Sequence, residues 1–128
     1  NFKNFLEQQT LNTFAGLTSD EISRCIIAYE PVWAISTTLG SHPDTPQNAL
    51  ESIQAIREAL ISNFEFRISN LFLYGGSVTS ANVREFLSNE GFDGVLIGSA
   101  SVIKEEFVRI LRQILSLTFG SKRRIIKE

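Results

Sequence analysis

The sequence predicts an α/β fold built on a parallel sheet that cannot close on itself. Short continuous apolar runs at Cys25–Tyr29, Leu71–Tyr74 and Val95–Ile97 have the form of buried strands. Segments of helical periodicity alternate with them, and strand, helix, strand, helix order gives parallel strands joined by right-handed crossovers. Three parallel strands are too few for a barrel. Their two unpaired apolar edges therefore point to part of a barrel, whose other strands belong to another stretch of chain or another molecule.

Each element has its own justification. Phe2, Phe5 and Leu6, continued by Leu11 and Phe14, recur at helical spacing up to Gly16, and this helix is expected to begin upstream of the first residue. Thr18 to Glu21 forms a capped helical turn, and the first strand then runs to Tyr29, buried on both faces. It stops at Glu30-Pro31, because proline cannot donate to a ladder. From Pro31 to Asp44 no periodicity survives, and a loop of that length is usually functional or mobile. Thr45 as N-cap and Pro46 at the first helical position open the next helix, whose inner face is Ala49, Ile53, Ile56 and Leu60. Gly75-Gly76 ends the second strand. Thr79 then caps a helix packed through Val83, Phe86 and Leu87 and closed by Gly91. Gly98 ends the third strand, and a last helix packs Ile103, Phe107, Ile110, Leu111 and Ile114. Residues 1–115 make up this barrel portion. The pattern fades after Leu115, leaving 116–128 as a basic, solvated tail with Lys122, Arg123, Arg124 and Lys127.

Composition narrows the function. Hydrophobic content of 43%, charged content of 20% and a net charge of −2 fit a soluble globular protein and give no reason for a nucleic-acid partner. No apolar run approaches the roughly 20 residues of a membrane span, and the sequence does not open like a signal peptide, so a cytoplasmic location and no membrane partner are expected. Cys25, the sole cysteine, permits neither an internal disulfide nor a multi-cysteine metal cluster and is expected to pack in the core. The chain starts at Asn1 and contains no methionine, which suggests a piece of something longer.

All three predicted strands end in chemically pointed residues: Glu30, Gly75-Gly76-Ser77 and Gly98-Ser99. In parallel α/β folds the site lies at the carboxyl ends of the strands. The two glycine-serine segments each precede a helix, so their backbone N–H groups could converge on an anion such as phosphate. Taken singly these signals are ambiguous. Glycine after a strand is more often a plain turn, and a carboxylate at a strand end is commonly solvated or ion-paired.

Longer motifs carry a resemblance. Ala28-Tyr29-Glu30-Pro31-Val32-Trp33-Ala34-Ile35 matches the opening of the A-Y-E-P-V-W-A-I-G-T-G motif of triosephosphate isomerases. Tyr74-Gly75-Gly76-Ser77-Val78 matches that family's Y-G-G-S-V, and Asp93-Gly94-Val95-Leu96-Ile97-Gly98-Ser99-Ala100-Ser101 resembles its D-G-x-L-V-G-G-A-S. The resemblance covers about residues 1–115. It implies a (βα)8 TIM barrel, of which this chain supplies about the last three βα units and a preceding helix.

The resemblance also implies an activity: interconversion of dihydroxyacetone phosphate and glyceraldehyde 3-phosphate through an enediol, in glycolysis and gluconeogenesis, without metal or organic cofactor. In these enzymes a glutamate base is paired with a neutral histidine beneath a closing loop. By position Glu30 resembles the base. Pro31, Val32, Trp33, Ala34, Ile35, Ser36, Thr37 and Thr38 resemble the lid, with Trp33 anchoring its stem. Ser36, Ser77, Gly98 and Ser99 match the phosphate-binding positions, and Tyr74 a tyrosine that holds the closed lid. By family habit the full-length protein is a cytoplasmic homodimer acting on a triose phosphate.

Departures accompany the match. The family usually has glycine at the positions of Ser36, Thr38 and Ser99, and Leu39–Asp44 is a few residues longer than the usual run. The family's asparagine, lysine and histidine lie upstream of anything in this chain, and neither His42 nor Lys3 replaces them. The chain alone is therefore expected to be inactive, since a base without its electrophile loses most of the barrier lowering. Two rivals are a non-catalytic phosphate-binding or scaffolding descendant, and another phosphate-binding barrel enzyme; the intact Tyr29-Glu30-Pro31-Val32-Trp33 run argues against the latter.

Overall fold

The computed structural model describes residues 1–35, 39–64 and 70–125, with side chains to Thr118. Its order is α1 (Phe2–Phe14), α2 (Ser19–Ser23), β1 (Ile27–Tyr29), a 3-10 turn (Val32–Ala34), α3 (Pro46–Phe64), β2 (Phe72–Tyr74), α4 (Val83–Leu87), β3 (Gly94–Val95), a second 3-10 turn (Ser99–Val102) and α5 (Lys104–Ile125). The sheet order is β1-β2-β3 and both pairings are parallel, with Ala28 beside Leu73 and Leu73 beside Gly94.

Local chemistry starts and stops these elements. At α2 the Thr18 side chain accepts from the Glu21 N–H while Glu21 reaches back to the Thr18 N–H at 2.8 Å, a reciprocal cap. At α3 the Thr45 Oγ1 accepts from the Asn48 N–H at 3.2 Å, with Pro46 where its missing donor is harmless. Ala49, Ile53, Ile56 and Leu60 are all buried, as their spacing predicts. Asn70 fastens the entry of β2 to the turn before β1 by donating to the carbonyls of Ile22 at 2.7 Å and Cys25 at 2.8 Å. At the same end of the sheet, Asp93 Oδ2 accepts the Phe72 N–H at 2.8 Å and lies 3.9 Å from the Arg57 guanidinium, which stacks 3.9 Å above the Phe72 ring.

One face of the sheet carries the core: Tyr29, Phe72 and Tyr74 meet Ile53, Leu60, Val83, Phe86 and Ile110. Tyr74 stacks on Phe86 with centroids 3.8 Å apart, and Phe92 closes on both edge-on. The opposite face is open. Ile26 is 62% exposed, Leu71 50% and Leu96 42%, with Ala28 exposed between them. The prediction of a first strand buried on both faces is therefore corrected: β1 is shorter than Cys25–Tyr29, and only one layer of helices covers it.

Other expectations shift as well. In α1 the buried stripe is Leu6, Thr10 and Phe14, whereas Phe2 and Phe5 are exposed. The helix after β2 does not begin at a Thr79 cap. It starts at Val83, after a turn in which the Thr79 carbonyl accepts the Val83 N–H at 3.0 Å and Asn82 Oδ1 accepts the Thr79 N–H at 2.8 Å. It ends at Leu87 with Ser88 as its C-cap, and Gly91 lies beyond at φ +115°. The third strand is Gly94–Val95 rather than Val95–Ile97. In α5, Ile110 is buried and Phe107 and Ile114 half-buried, but Ile103 precedes the helix and Leu111 points about 100° away from its buried neighbour, so both are exposed. The helix itself runs on to Ile125, through the point where the apolar pattern fades. Among the described residues, no helix is long and apolar enough to cross a membrane.

Candidate active site

The carboxyl ends of the three strands converge as parallel strands must. Glu30 follows β1 directly, Gly75 follows β2, and Gly98 lies just past β3. The Gly75 N–H donates to the Tyr29 carbonyl at 3.0 Å, extending the pairing by one step and setting Gly75 beside Glu30. With no side chain at Gly75, Glu30 lies against its backbone: a Cβ there would stand 2.8 Å from the Glu30 Cγ and 3.3 Å from its Oε1.

A cavity of about 230 Å³ opens between these ends, walled by Glu30, Gly75, Ser77, Gly98 and Ser99, with Ile35 and Leu96 as apolar sides. It thus brings together the carboxylate and both glycine-serine segments that the sequence singles out. Leu96 was not among the sequence candidates; its place two residues before Gly98, within the apolar run Val95–Ile97, is the signal that could have found it.

Ser77 has φ +49°, a left-handed conformation uncommon outside glycine. Two bonds hold it there. Its hydroxyl donates to the Ala34 carbonyl, joining the loop after β2 to the turn after β1, and its own carbonyl accepts from Asn82 Nδ2 at 3.0 Å. The Gly75–Ser77 segment does not lead straight into a helix as predicted, since α4 begins only at Val83. Gly98–Ser99 does enter one, the short 3-10 turn ahead of α5, and the Gly98 carbonyl accepts both the N–H and the hydroxyl of Ser101, at 2.9 and 2.7 Å. A Cβ at Gly98 would meet nothing within 4 Å, so its open side is free space.

The segment after Glu30 is well fastened up to Ile35. Pro31 and Ala34 are buried, Val32 is exposed, and the Ala34 N–H closes the 3-10 turn on the Pro31 carbonyl at 2.9 Å. Trp33 meets Phe2 edge-on at 5.3 Å, and its carbonyl accepts the His42 N–H at 2.8 Å. Ser36, Thr37 and Thr38 lie outside the described residues.

Tyr74 is wholly buried, and its hydroxyl donates to the Gly76 carbonyl at 2.9 Å; any Cβ on Gly76 would collide with that hydroxyl. Burial above all, then the charge of Asp44, pushes the Tyr74 phenol well above its usual range, while the Asp44 backbone, which also faces the hydroxyl, opposes the shift. Asp44 stands just ahead of Thr45 at the far end of the 31–44 loop. It is buried, with Oδ1 accepting the Thr45 N–H at 2.9 Å. Tyr29, on the same face of the sheet, is also raised, again chiefly by burial. No cluster of three or more His, Cys, Asp or Glu side chains suited to a metal ion occurs among the described residues.

Comparison with known proteins gives the family. The family model of triosephosphate isomerase matches residues 1–114. Proteins named triosephosphate isomerase from Aster yellows witches'-broom phytoplasma, Bifidobacterium longum (strain DJO10A) and Amoebophilus asiaticus are 41%, 40% and 40% identical to it, over 81%, 89% and 86% of this chain. The chain spans only 38%, 42% and 43% of those relatives' lengths. With the motif residues gathered at the carboxyl end of a parallel sheet and the match running over nearly all of the chain, this protein belongs to the triosephosphate isomerase family.

Proposed function

We propose that the whole protein is a triose-phosphate isomerase in which Glu30 is the carbon base, and Ser77, Gly98 and Ser99 hold the substrate phosphate, with Ser36 closing on it from the segment after Ile35. The observation that carries the proposal is the shared cavity: the carboxylate and the two glycine-serine segments line one space of about 230 Å³. A proton on one carbon must move to the next. The Glu30 carboxylate, which shares the cavity with Ile35, Leu96 and the two glycine-serine segments, is the group placed to take that proton. The phosphate would serve as a handle, fixing the two carbons against Glu30. Ser77 enters this scheme through its backbone, since its hydroxyl is engaged by Ala34.

The reaction needs no cofactor from this chain. The reading carries with it a cytoplasmic, homodimeric glycolytic enzyme, with Pro31–Thr38 as the lid and Tyr74 as the tyrosine that holds it closed. The 128 residues alone, lacking counterparts of the family's asparagine, lysine and histidine, would not turn over. Glu30→Asp in the whole protein tests the assignment. Shortening by one methylene misplaces the carboxylate by about 1 Å, so turnover should fall by about 10²-fold or more while phosphate binding persists. Turnover at the wild-type level would remove Glu30 from the role and favour a phosphate-binding protein that has lost the chemistry.

A further inference from the structure

Glu106 joins the two segments that flank the cavity. It lies in the first turn of α5, beyond the Gly98–Ser99 bend, and reaches back to the connection that follows β2. Its Oε1 accepts the Ser80 N–H at 2.7 Å and its Oε2 accepts the Ser80 hydroxyl at 3.1 Å. The Glu106 side chain is 19% exposed, and the Arg109 Nε lies 3.2 Å from Oε2 on its outer side. Ser80, in turn, is part of a fastened unit, because Asn82 binds both the Thr79 N–H and the Ser77 carbonyl.

The sheet cannot do this work. Its last rung between the two strands is the Leu96 N–H to the Tyr74 carbonyl at 2.8 Å, and Ser77 and Gly98 both lie beyond it. Bidentate, charge-assisted hydrogen bonds are short and directional, so one carboxylate suffices to fix the distance between two backbone segments. We propose that Glu106 is a positioning residue, which through Ser80 sets the spacing of the Ser77 loop from the Gly98–Ser99 bend and so the cavity's grip on the substrate phosphate. The inference rests on reading that cavity as the phosphate site.

The experiment is steady-state kinetics of the whole protein, with inorganic phosphate as competitive inhibitor, on Glu106→Ala, Glu106→Gln and Ser80→Ala. An anion held from two sides loses affinity steeply when one side moves by a fraction of an ångström, so Glu106→Ala should raise KM and the phosphate inhibition constant together, each about tenfold, with little change in kcat. Glu106→Gln keeps an acceptor for the Ser80 N–H and should recover most of that loss; Ser80→Ala keeps the same bond and should resemble it. A merely structural contact would lower the melting temperature and the active fraction but leave both constants alone. Unchanged constants in Glu106→Ala, or equal losses in the alanine and glutamine variants, would overturn the inference. If Glu106→Ala does not fold, inhibition constants at the wild-type value in both milder variants overturn it as well. An active wild-type enzyme insensitive to inorganic phosphate would instead overturn the reading of the cavity, and this inference with it.

Discussion

Gly75 and Glu30 compete for the same small space: the nearest atom that a Cβ at position 75 would meet is the Glu30 Cγ, at 2.8 Å. The glycine is thus required by its neighbour's side chain rather than by its own backbone, which has no positive φ.

Gly75→Ala should therefore be a displacement of the base in disguise. The clash falls on an exposed, flexible side chain, so the fold of the whole protein should survive with a small change in melting temperature. The carboxylate must move, and a shift approaching 1 Å should lower kcat by up to about 10²-fold with little effect on KM. Full kcat in the alanine variant would show that the observed Glu30 position is not the working one.

Tyr74 predicts an alkaline weakness. Its phenol is raised in the folded state, whereas in the unfolded chain it titrates near its ordinary value of 10.0. Below that pH both states keep the proton and the burial costs nothing in charge. Above it the unfolded chain ionises first, so stability falls as pH rises toward the folded value. Tyr74→Phe keeps the ring stack on Phe86 but leaves the Gly76 carbonyl without its donor, costing about 1 kcal/mol at neutral pH. The difference between variant and wild-type melting temperatures should shrink above pH 10.0. Tyr29, raised in the same direction, leaves a residual slope in the variant. A constant difference across that range would contradict the assignment of the alkaline loss to Tyr74.

The open sheet face makes a prediction about the 128 residues by themselves. Ile26, Leu71 and Leu96 present apolar surface to solvent, and among the described residues no strand pairs with either outer edge of the sheet. Burial is worth about 25 cal/mol per Å² against a net stability of only about 5–15 kcal/mol, so uncovering one whole face removes a large share of it. Expressed alone, the chain should be aggregated, molten or oligomeric, bind a hydrophobic dye and show background isomerase activity. Supplying the N-terminal portion of the Bifidobacterium longum relative in trans should restore a cooperative melt. A monomeric, cooperatively unfolding 128-residue chain would show that it is an independent domain.

What could be read from the residues was whatever local chemistry punctuates. Pro31 and Gly75 stand just past the ends of β1 and β2, whereas β3 stops at Val95, short of the predicted end at Gly98; α3 was legible because Thr45-Pro46 starts it and its apolar stripe keeps one phase over many turns. The placement of Glu30 with Ser77 and Gly98 followed from strand order alone. The open face was not legible, since an apolar run looks the same whether one side or both sides are covered. Nor was the five-residue length of α4, where Asn82 and Thr79 spend their hydrogen bonds on a turn before the helix begins. The Ser80–Glu106 tie joins residues 26 positions apart, and no periodicity encodes such a pair.

The Arg57–Asp93–Phe72 cluster sits at the end of the sheet opposite Glu30. Because it locks β2 to the entrance of β3 there, the strands hold their alignment without help from the loops at the cavity end. Substitutions in those loops, at Ser99 or within Leu39–Asp44, should then leave the scaffold undisturbed. Damage to the two ends should then leave different scars, an altered cavity in a sound molecule at one end and a poorer yield of folded protein at the other.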